Sequence, residues 1–301
     1  MPSVVIAGGS GFIGQAIIKE FQALEWQVTV LSRTPKAPAN GVEYVLWDGE
    51  RLGDWVKSLA TADAVINLSG APIAAKWTLS ELKYIRESRV RSTSAIGNAL
   101  REVGKPLRWV NGSAVGAYGS RGDEVLTEES APGDTEAILP GICAAWEAAA
   151  RDHCPAGCHL TLVRTGFVLG NEGGAFPVLT TLVRAFMGGH PGSGNQWVPW
   201  IHVADIAKMF VWAATEDQPA ILNGCAPHPC RMADFMAQLR TSLRRPWSPP
   251  VPAFALQIAS LLGTPDPSLL LDSCRAIPKA AEDAGFKFQY PHLADALKNL
   301  K

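Results

Sequence analysis

Short apolar runs alternate with helical periodicity through the first half of the chain. Val4-Val5-Ile6-Ala7 is unbroken by polar residues and meets glycine at once, the pattern of a strand buried on both faces. Over 12–24 the apolar residues Ile13, Ala16, Ile17, Phe21 and Leu24 recur at three- and four-residue spacing, which predicts an amphipathic helix; Val28-Thr29-Val30-Leu31 predicts a second strand. Strand, helix and strand in succession form a βαβ unit, so the sheet is expected to be parallel. Further strands are predicted at 44–46, 64–68, 109–110 and 160–163, with helices near 79–103 and 142–151. The later chain predicts helices at 203–214, 232–243 and 253–262 and a strand at 221–223, while the proline-rich stretch 246–252 reads as a linker or surface loop. The expected fold class is therefore α/β, a doubly wound parallel sheet over 1–165. A smaller, mostly helical C-terminal lobe follows over 166–301, with chain around 200–226 returning to the sheet domain.

Composition narrows the partners more than the fold. The 301 residues carry 27 Lys+Arg against 28 Asp+Glu, and 47% are hydrophobic, which leaves room for a sizeable core and no basic surface of the kind nucleic acid requires. The nearest basic cluster, Arg240, Arg244 and Arg245, fits the end of a solvated helix, where cations favour the dipole. No apolar stretch reaches the ~18 residues of a membrane span, and the start of the chain has no basic segment ahead of its short apolar run, as a signal peptide would. The expected protein is soluble and cytoplasmic, with a small-molecule substrate and neither nucleic acid nor membrane as partner; a homodimer is left open. Its six cysteines, among them Cys154 and Cys158 and the pair Cys225 and Cys230, show no repeated metal-ligand spacing and read as reduced, partly buried thiols. No metal site is expected.

Gly8-Gly9-Ser10-Gly11-Phe12-Ile13-Gly14 falls between the first strand and the first helix. Glycines at 8, 11 and 14 permit a tight turn, close backbone approach to a pyrophosphate and close packing of helix on strand. A phosphate there meets the free N–H groups and dipole of the helix N-terminus. With strand, helix and second strand all in register, the segment predicts a Rossmann-type dinucleotide site. The end of the second strand then distinguishes the two dinucleotides. An NAD site places a carboxylate there for the ribose 2′-hydroxyl, whereas this chain has Ser32-Arg33-Thr34-Pro35-Lys36. A guanidinium suits a 2′-phosphate that a carboxylate would repel. NADP(H) is expected, held by Ser32 and Arg33 with weaker support from Lys36.

These residues resemble the extended short-chain dehydrogenase/reductase superfamily, which includes nucleotide-sugar epimerases and dehydratases. Ala64-Val65-Ile66-Asn67-Leu68-Ser69-Gly70-Ala71 resembles its fourth-strand motif, and Asn111-Gly112-Ser113 with Tyr118-Gly119 resembles its fifth-strand segment. The strings 162–170 and 200–205 continue the match. Ser32-Arg33, Ser88-Arg89, Trp146-Glu147, Gly192-Ser193-Gly194 with Gln196, Pro199-Trp200-Ile201-His202 and Ile277-Pro278-Lys279 resemble the epimerase family proteins of the SDR39U1 or YfcH type. That resemblance implies NADP binding, with Leu68, Ser69, Gly70 and Arg89 joining the glycine segment at the cofactor, and a C-terminal lobe of the DUF1731 type.

The superfamily's catalytic pair is Tyr-x-x-x-Lys, in which the lysine lowers the phenol pKa. By the resemblance, Cys143 stands at the tyrosine position and Glu147 at the lysine position. Glu147 either accepts from ribose hydroxyls or pairs with Arg151 at i,i+4 on a solvated helix face, and Cys143 is alternatively a small core residue. The third catalytic position falls at Ala114, beside Ser113. Tyr118 is the best local phenol, either a substrate contact and replacement acid or an aromatic covering the cofactor. His202 is either a proton donor near neutral pH or a structural residue ahead of the helix after 203, and Asp205 reads as part of that helix's first turn. Substrate is expected between domain and lobe against Gly173-Gly174, Phe176, Trp197 and Trp200. The expected function is an NADP(H)-binding, epimerase/dehydratase-like oxidoreductase with a non-standard acid/base set; a silent NADP(H) sensor or scaffold is the alternative, kept open by the loss of both catalytic residues.

Overall fold

Residues of the first apolar run point alternately into two hydrophobic cores. In β1 (Ser3–Ala7), Val4 and Ile6 face one core while Val5 and Ala7 face the other, as the two-residue period of a strand dictates. The structure is a computed structural model describing residues 1–261 and 265–301. With β2 (Gln27–Ser32), β3 (Val42–Leu46), β4 (Ala64–Asn67), β5 (Arg108–Ala114), β6 (His159–Thr165) and β7 (Ile221–Gly224), β1 forms a seven-stranded sheet in the order 3-2-1-4-5-6-7. Every pairing in it is parallel. Strand order reverses beside β1, which opens a crevice at the carboxyl ends of β1 and β4.

Helices α1 (Phe12–Ala23) and α4 (Val203–Thr215) cover one face, where Ile17 and Phe21 meet Ile206 and Phe210. Helices α2 (Leu79–Val103) and α3 (Ile138–His153) contribute Ile96, Leu100 and Ala150 to the other. The bounds of α2 follow from its ends. Thr78 accepts from the Glu81 amide at 3.2 Å, and Gly104 stops the helix in the left-handed conformation, φ 65°. Helix α3 begins four residues ahead of the periodicity because Pro140 lies in its first turn, where a missing N–H costs no hydrogen bond. Strand β5 outruns its apolar core through Asn111-Gly112-Ser113, since β6 pairs with it as far as Ala114.

The lobe has its own core, in which Phe176, Trp200, Phe235 and Leu297 are buried between the helices Phe176–Arg184, Met232–Ser242 and Leu293–Asn299. The first of these escaped the apolar pattern, although Pro177 stands in its opening turn. The helix Ala253–Leu261 matches its prediction; Leu262, its expected last residue, lies outside the described residues. Among the described residues no helix is long and apolar enough to cross a membrane. All six cysteines are free, and the described residues contain no group of three or more His, Cys, Asp or Glu arranged to hold a metal.

Where lobe and sheet domain join, His202 caps α4 by accepting from the Ala204 amide at 3.1 Å and lies 4.1 Å from the Tyr290 ring. Asp205 in the first turn accepts from the amides of Gln289 and Tyr290 at 2.7 and 2.9 Å, tying the C-terminal segment to α4. Burial lowers the His202 imidazole from 6.5 to about 4. The unfolded chain therefore binds a proton near pH 6.5 that the folded chain refuses until about pH 4, so this group costs stability as pH falls through that window. Urea titration should find about 2 kcal/mol less stability at pH 5 than at pH 7 from His202 alone. His202→Asn, which keeps a capping acceptor, should shrink that drop; an unchanged drop would place the acid sensitivity elsewhere.

Candidate functional site

Beyond β1 the chain turns through Gly8 at φ 80°, a conformation that side chains disfavour, and a Cβ there would stand 2.8 Å from the Leu68 carbonyl carbon. The Gly11 amide donates to the Gly8 carbonyl at 3.0 Å and closes the turn. On Gly14 a Cβ would lie 2.6 Å from that same oxygen, so only glycine lets α1 approach the turn this closely. Gly11 is the N-cap of α1 and supplies no side-chain acceptor, which leaves the first-turn N–H groups available to an anion. Gly8, Ser10 and Gly11 line the crevice. Phe12 and Ile13 shape it from behind: Gly170, Gly173 and Gly174 pack on the Phe12 ring, and Ile13 joins the core.

The crevice, about 410 Å³, runs from this turn to Ser32 and Arg33, with Leu68, Ser69 and Gly70 on the opposite wall. Its acids are committed elsewhere. Asp48 accepts from the amides of Glu50 and Arg51 at 2.9 and 2.8 Å, and Glu50 and Glu87 both pair with Arg91 at 2.9 and 2.8 Å. Arg33 is exposed and meets no carboxylate among the described residues. The Ser32 hydroxyl donates to the Thr34 carbonyl at 2.8 Å and so shapes its own turn. Lys36 corrects the expectation that it supports this end: its ammonium lies 5.4 Å over the Tyr44 ring and does not line the crevice, an aromatic face being an alternative attraction for an otherwise solvated cation.

A buried polar cluster sets the opposite wall. Asn67 donates to Thr93 Oγ1 and Asn111 Oδ1 at 3.0 and 2.8 Å and accepts from the Ser69 amide at 3.0 Å. Trp146 Nε1 donates to the same threonine hydroxyl at 3.1 Å, and Ser88 Oγ accepts from the Ala71 amide at 2.9 Å. Asn67, Thr93 and Asn111 are thus supporting residues: both asparagines lie in the motif strings without a role assigned to them, and Thr93 lies outside those strings. The signal was present as an asparagine directly after each of the apolar runs 64–66 and 109–110 on adjacent strands, where a buried amide needs partners.

Arg89 marks the end of the crevice. Its Nη1 donates to the carbonyls of Ala71 and Ile85, both at 2.9 Å, and its guanidinium lies 5.1 Å from the Trp146 ring; no carboxylate pairs with it among the described residues. Burial lowers its pKa. A Cβ on Gly70 would touch this side chain at 3.0 Å, so Arg89 stands where the crevice gives way to a second cavity of about 310 Å³. That cavity lies between the sheet domain, through Val115, Ile142 and Cys143, and the lobe, through Phe167, Trp197 and Phe235. Of the expected substrate contacts only Trp197 lines it. Phe176 and Trp200 are fully inside the lobe core, and Gly173-Gly174 back the Phe12 ring, because the lobe needs those large apolar faces for its own packing.

Ser113, Glu147 and Tyr118 meet in one buried network. Glu147 Oε1 accepts from Ser113 Oγ at 2.7 Å and Arg164 Nε at 2.8 Å, while Oε2 accepts from Arg164 Nη2 at 2.9 Å and Arg151 Nη2 at 2.8 Å. The i,i+4 pair with Arg151 is formed, but Glu147 is 3% exposed, which corrects the solvated-face reading. Burial by itself would raise the Glu147 carboxyl; the bonds and charge of Arg164, with Ser113 and Arg151, outweigh it and hold the group below its usual value. Arg164 lies 4.8 Å over the Tyr118 ring, and the fully buried phenol is 2.9 Å from the Thr127 carbonyl and 2.8 Å from Asn223 Oδ1. Cys143 lines the cavity, its thiol 3.8 Å from the Ala114 carbonyl.

A parallel sheet with a glycine turn at its switch point and a domain–lobe cavity beside it defines a Rossmann-type dinucleotide protein. Residues 4–223 match the NAD dependent epimerase/dehydratase family, and residues 251–300 match a domain of unknown function, DUF1731. The chain belongs to the NAD dependent epimerase/dehydratase family. It is 33% identical over 306 residues to the chloroplastic epimerase family protein SDR39U1 homolog of Arabidopsis thaliana, covering 98% of this chain and 86% of that one. To the epimerase family protein SDR39U1 of Bos taurus it is 32% identical, with 99% of both chains covered. The crystal structure of human epimerase family protein SDR39U1 (isoform 2) with NADPH superimposes with a TM-score of 0.85 at 28% identity, covering 99% of this chain and 98% of that one.

Removing one member of a buried ion pair strands its partner's charge. Glu147→Gln, which leaves Arg164 uncompensated, should lower the unfolding free energy by about 3 kcal/mol in urea titration at pH 7. A loss under about 1 kcal/mol would show that Arg164 finds another counter-charge.

Proposed function

We propose that this protein is an NADP(H)-binding oxidoreductase in which Arg33 selects the 2′-phosphate and the cavity beyond Arg89 receives the substrate. The reading is carried by Arg33, a cation with no carboxylate partner among the described residues, at the end of β2 and opening onto the same crevice as Gly8 and Gly11. The glycine turn, with its open amides and the Cβ-excluding contacts at Gly8 and Gly14, fits a pyrophosphate. The NADPH in the human relative's crystal structure supports the same choice. A bound nicotinamide dinucleotide supplies or accepts a hydride.

The chain's own residues divide the remaining work. Leu68, Ser69 and Gly70 form the wall held by Asn67, and Arg89 brings a cation to the boundary between cofactor and substrate. Cys143 replaces the family's catalytic tyrosine. Burial first, then the charge of Glu147, pushes its thiol up to about 12, so at neutral pH it remains protonated, a weak donor and no nucleophile. Glu147 replaces the lysine and already accepts four hydrogen bonds, leaving it to position Ser113 and Arg164. Burial pushes the Tyr118 phenol up to about 12, and its proton is engaged by Thr127 and Asn223. In this reading Ser113, Tyr118 and Glu147 are positioning residues, and Arg89 and Cys143 face the reacting centre. A silent NADP(H) sensor is the second reading, supported by the loss of the Tyr-x-x-x-Lys pair; the cavity adjoining the crevice favours the enzyme.

Titration of tryptophan fluorescence should show NADPH binding more tightly than NADH. Arg33→Ala should weaken NADPH roughly tenfold or more, the effect of losing a charge-assisted bond, while leaving NADH nearly unchanged. Equal affinities in the parent protein would overturn the assignment.

A further inference from the structure

The ligand class of the second cavity follows from its walls. We infer that it takes an uncharged, apolar ketone or aldehyde with a body of about two rings, and excludes nucleotide sugars; this rests on the dinucleotide reading of the neighbouring crevice. At about 310 Å³ the cavity is roughly twice the ~150 Å³ apolar cavity that takes one benzene ring. A nucleotide sugar carries a base, two sugar rings and a diphosphate, far more than that space holds. Most of the wall is apolar, with Leu139, Ile142, Phe167, Trp197, Met232 and Phe235 offering sugar hydroxyls no acceptor, and Thr165, Ser268 and Asp272 are the only side-chain oxygens among the described lining residues.

Charge points the same way. Among the described residues lining the cavity only Arg89 and Asp272 are charged. A diphosphate needs cations, and Asp272 repels it. The other arginines near this wall, Arg231 and Arg275, lie on the Trp197 ring, each 4.3 Å from its centroid, and Arg231 pairs with Asp123 at 2.8 Å. Arg89 adjoins the crevice through Gly70, so an anionic dinucleotide held there would compete with an anionic substrate for its charge. What remains at that end is donors. Arg89 Nε and Nη2 make no protein hydrogen bond among the described residues, and the Cys143 thiol is neutral. Donors at one end of an apolar chamber call for an acceptor at the end of an apolar ligand, which is a carbonyl oxygen.

Trp146 and Trp197 line the cavity and report its filling. The full-length protein, free and saturated with NADPH, is titrated by tryptophan fluorescence with 2-decalone, 1-indanone, indane-1-carboxylate and UDP-glucose. The ketones should give saturable quenching; the carboxylate should bind at least tenfold more weakly, and UDP-glucose should have no effect at millimolar concentration. Leu139→Asp puts a charge on the cavity wall in the first turn of α3, where an acid suits the helix. It should weaken the ketones at least tenfold and leave NADPH affinity unchanged. Saturable binding of UDP-glucose, or carboxylate binding as tight as the ketones, overturns the inference. So does the absence of ketone binding by a protein that binds NADPH, which leaves the cofactor reading standing. Ketone binding by a protein that ignores NADPH overturns the cofactor reading instead.

Discussion

Four hydrogen bonds converge on the Glu147 carboxylate inside the protein, from a serine on β5, an arginine on β6 that bonds both oxygens, and a second arginine one turn along α3. An ionised carboxylate and a guanidinium taken out of water are tolerable only when each satisfies the other. The pair therefore locks α3 against the carboxyl ends of β5 and β6. Arg164 carries the constraint further, since it lies over Tyr118, whose phenol reaches Asn223 on β7. The floor of the site is consequently an ionic and aromatic frame that ties α3 to β5, β6 and β7.

Above this frame the molecule separates two environments. The crevice at the switch point brings the open amides of the glycine turn together with Arg33, a cation with no carboxylate partner among the described residues, features that recognise a phosphate-rich ligand. The neighbouring cavity is built from apolar side chains contributed by both domain and lobe. Arg89 stands between them with two of its bonds spent on backbone carbonyls and, among the described residues, none on a carboxylate. A half-buried cation with no counter-ion among the described residues favours an anionic ligand beside it.

Local sequence determined the elements and the phosphate turn. The apolar run of β1, the periodicity of α1, the caps of α2 and the glycine spacing each act within a few residues, where steric limits and hydrogen-bond demand operate without help from the rest of the fold. Lys36 shows the limit of that reach: nearness in sequence to Arg33 did not bring it into the crevice. The role of Glu147 was decided only by the tertiary structure. Its spacing from Arg151 is the same on a surface helix as in a core, and the partner that matters, Arg164, comes from a strand that only sheet assembly brings opposite. The cavity was hidden for a related reason. Its wall is drawn from segments between Ile73 and Cys274, and an apolar residue facing a void carries the same sequence pattern as one facing a neighbour. Periodicity records which side chains leave water, whereas packing between domain and lobe decides which of them leave a space.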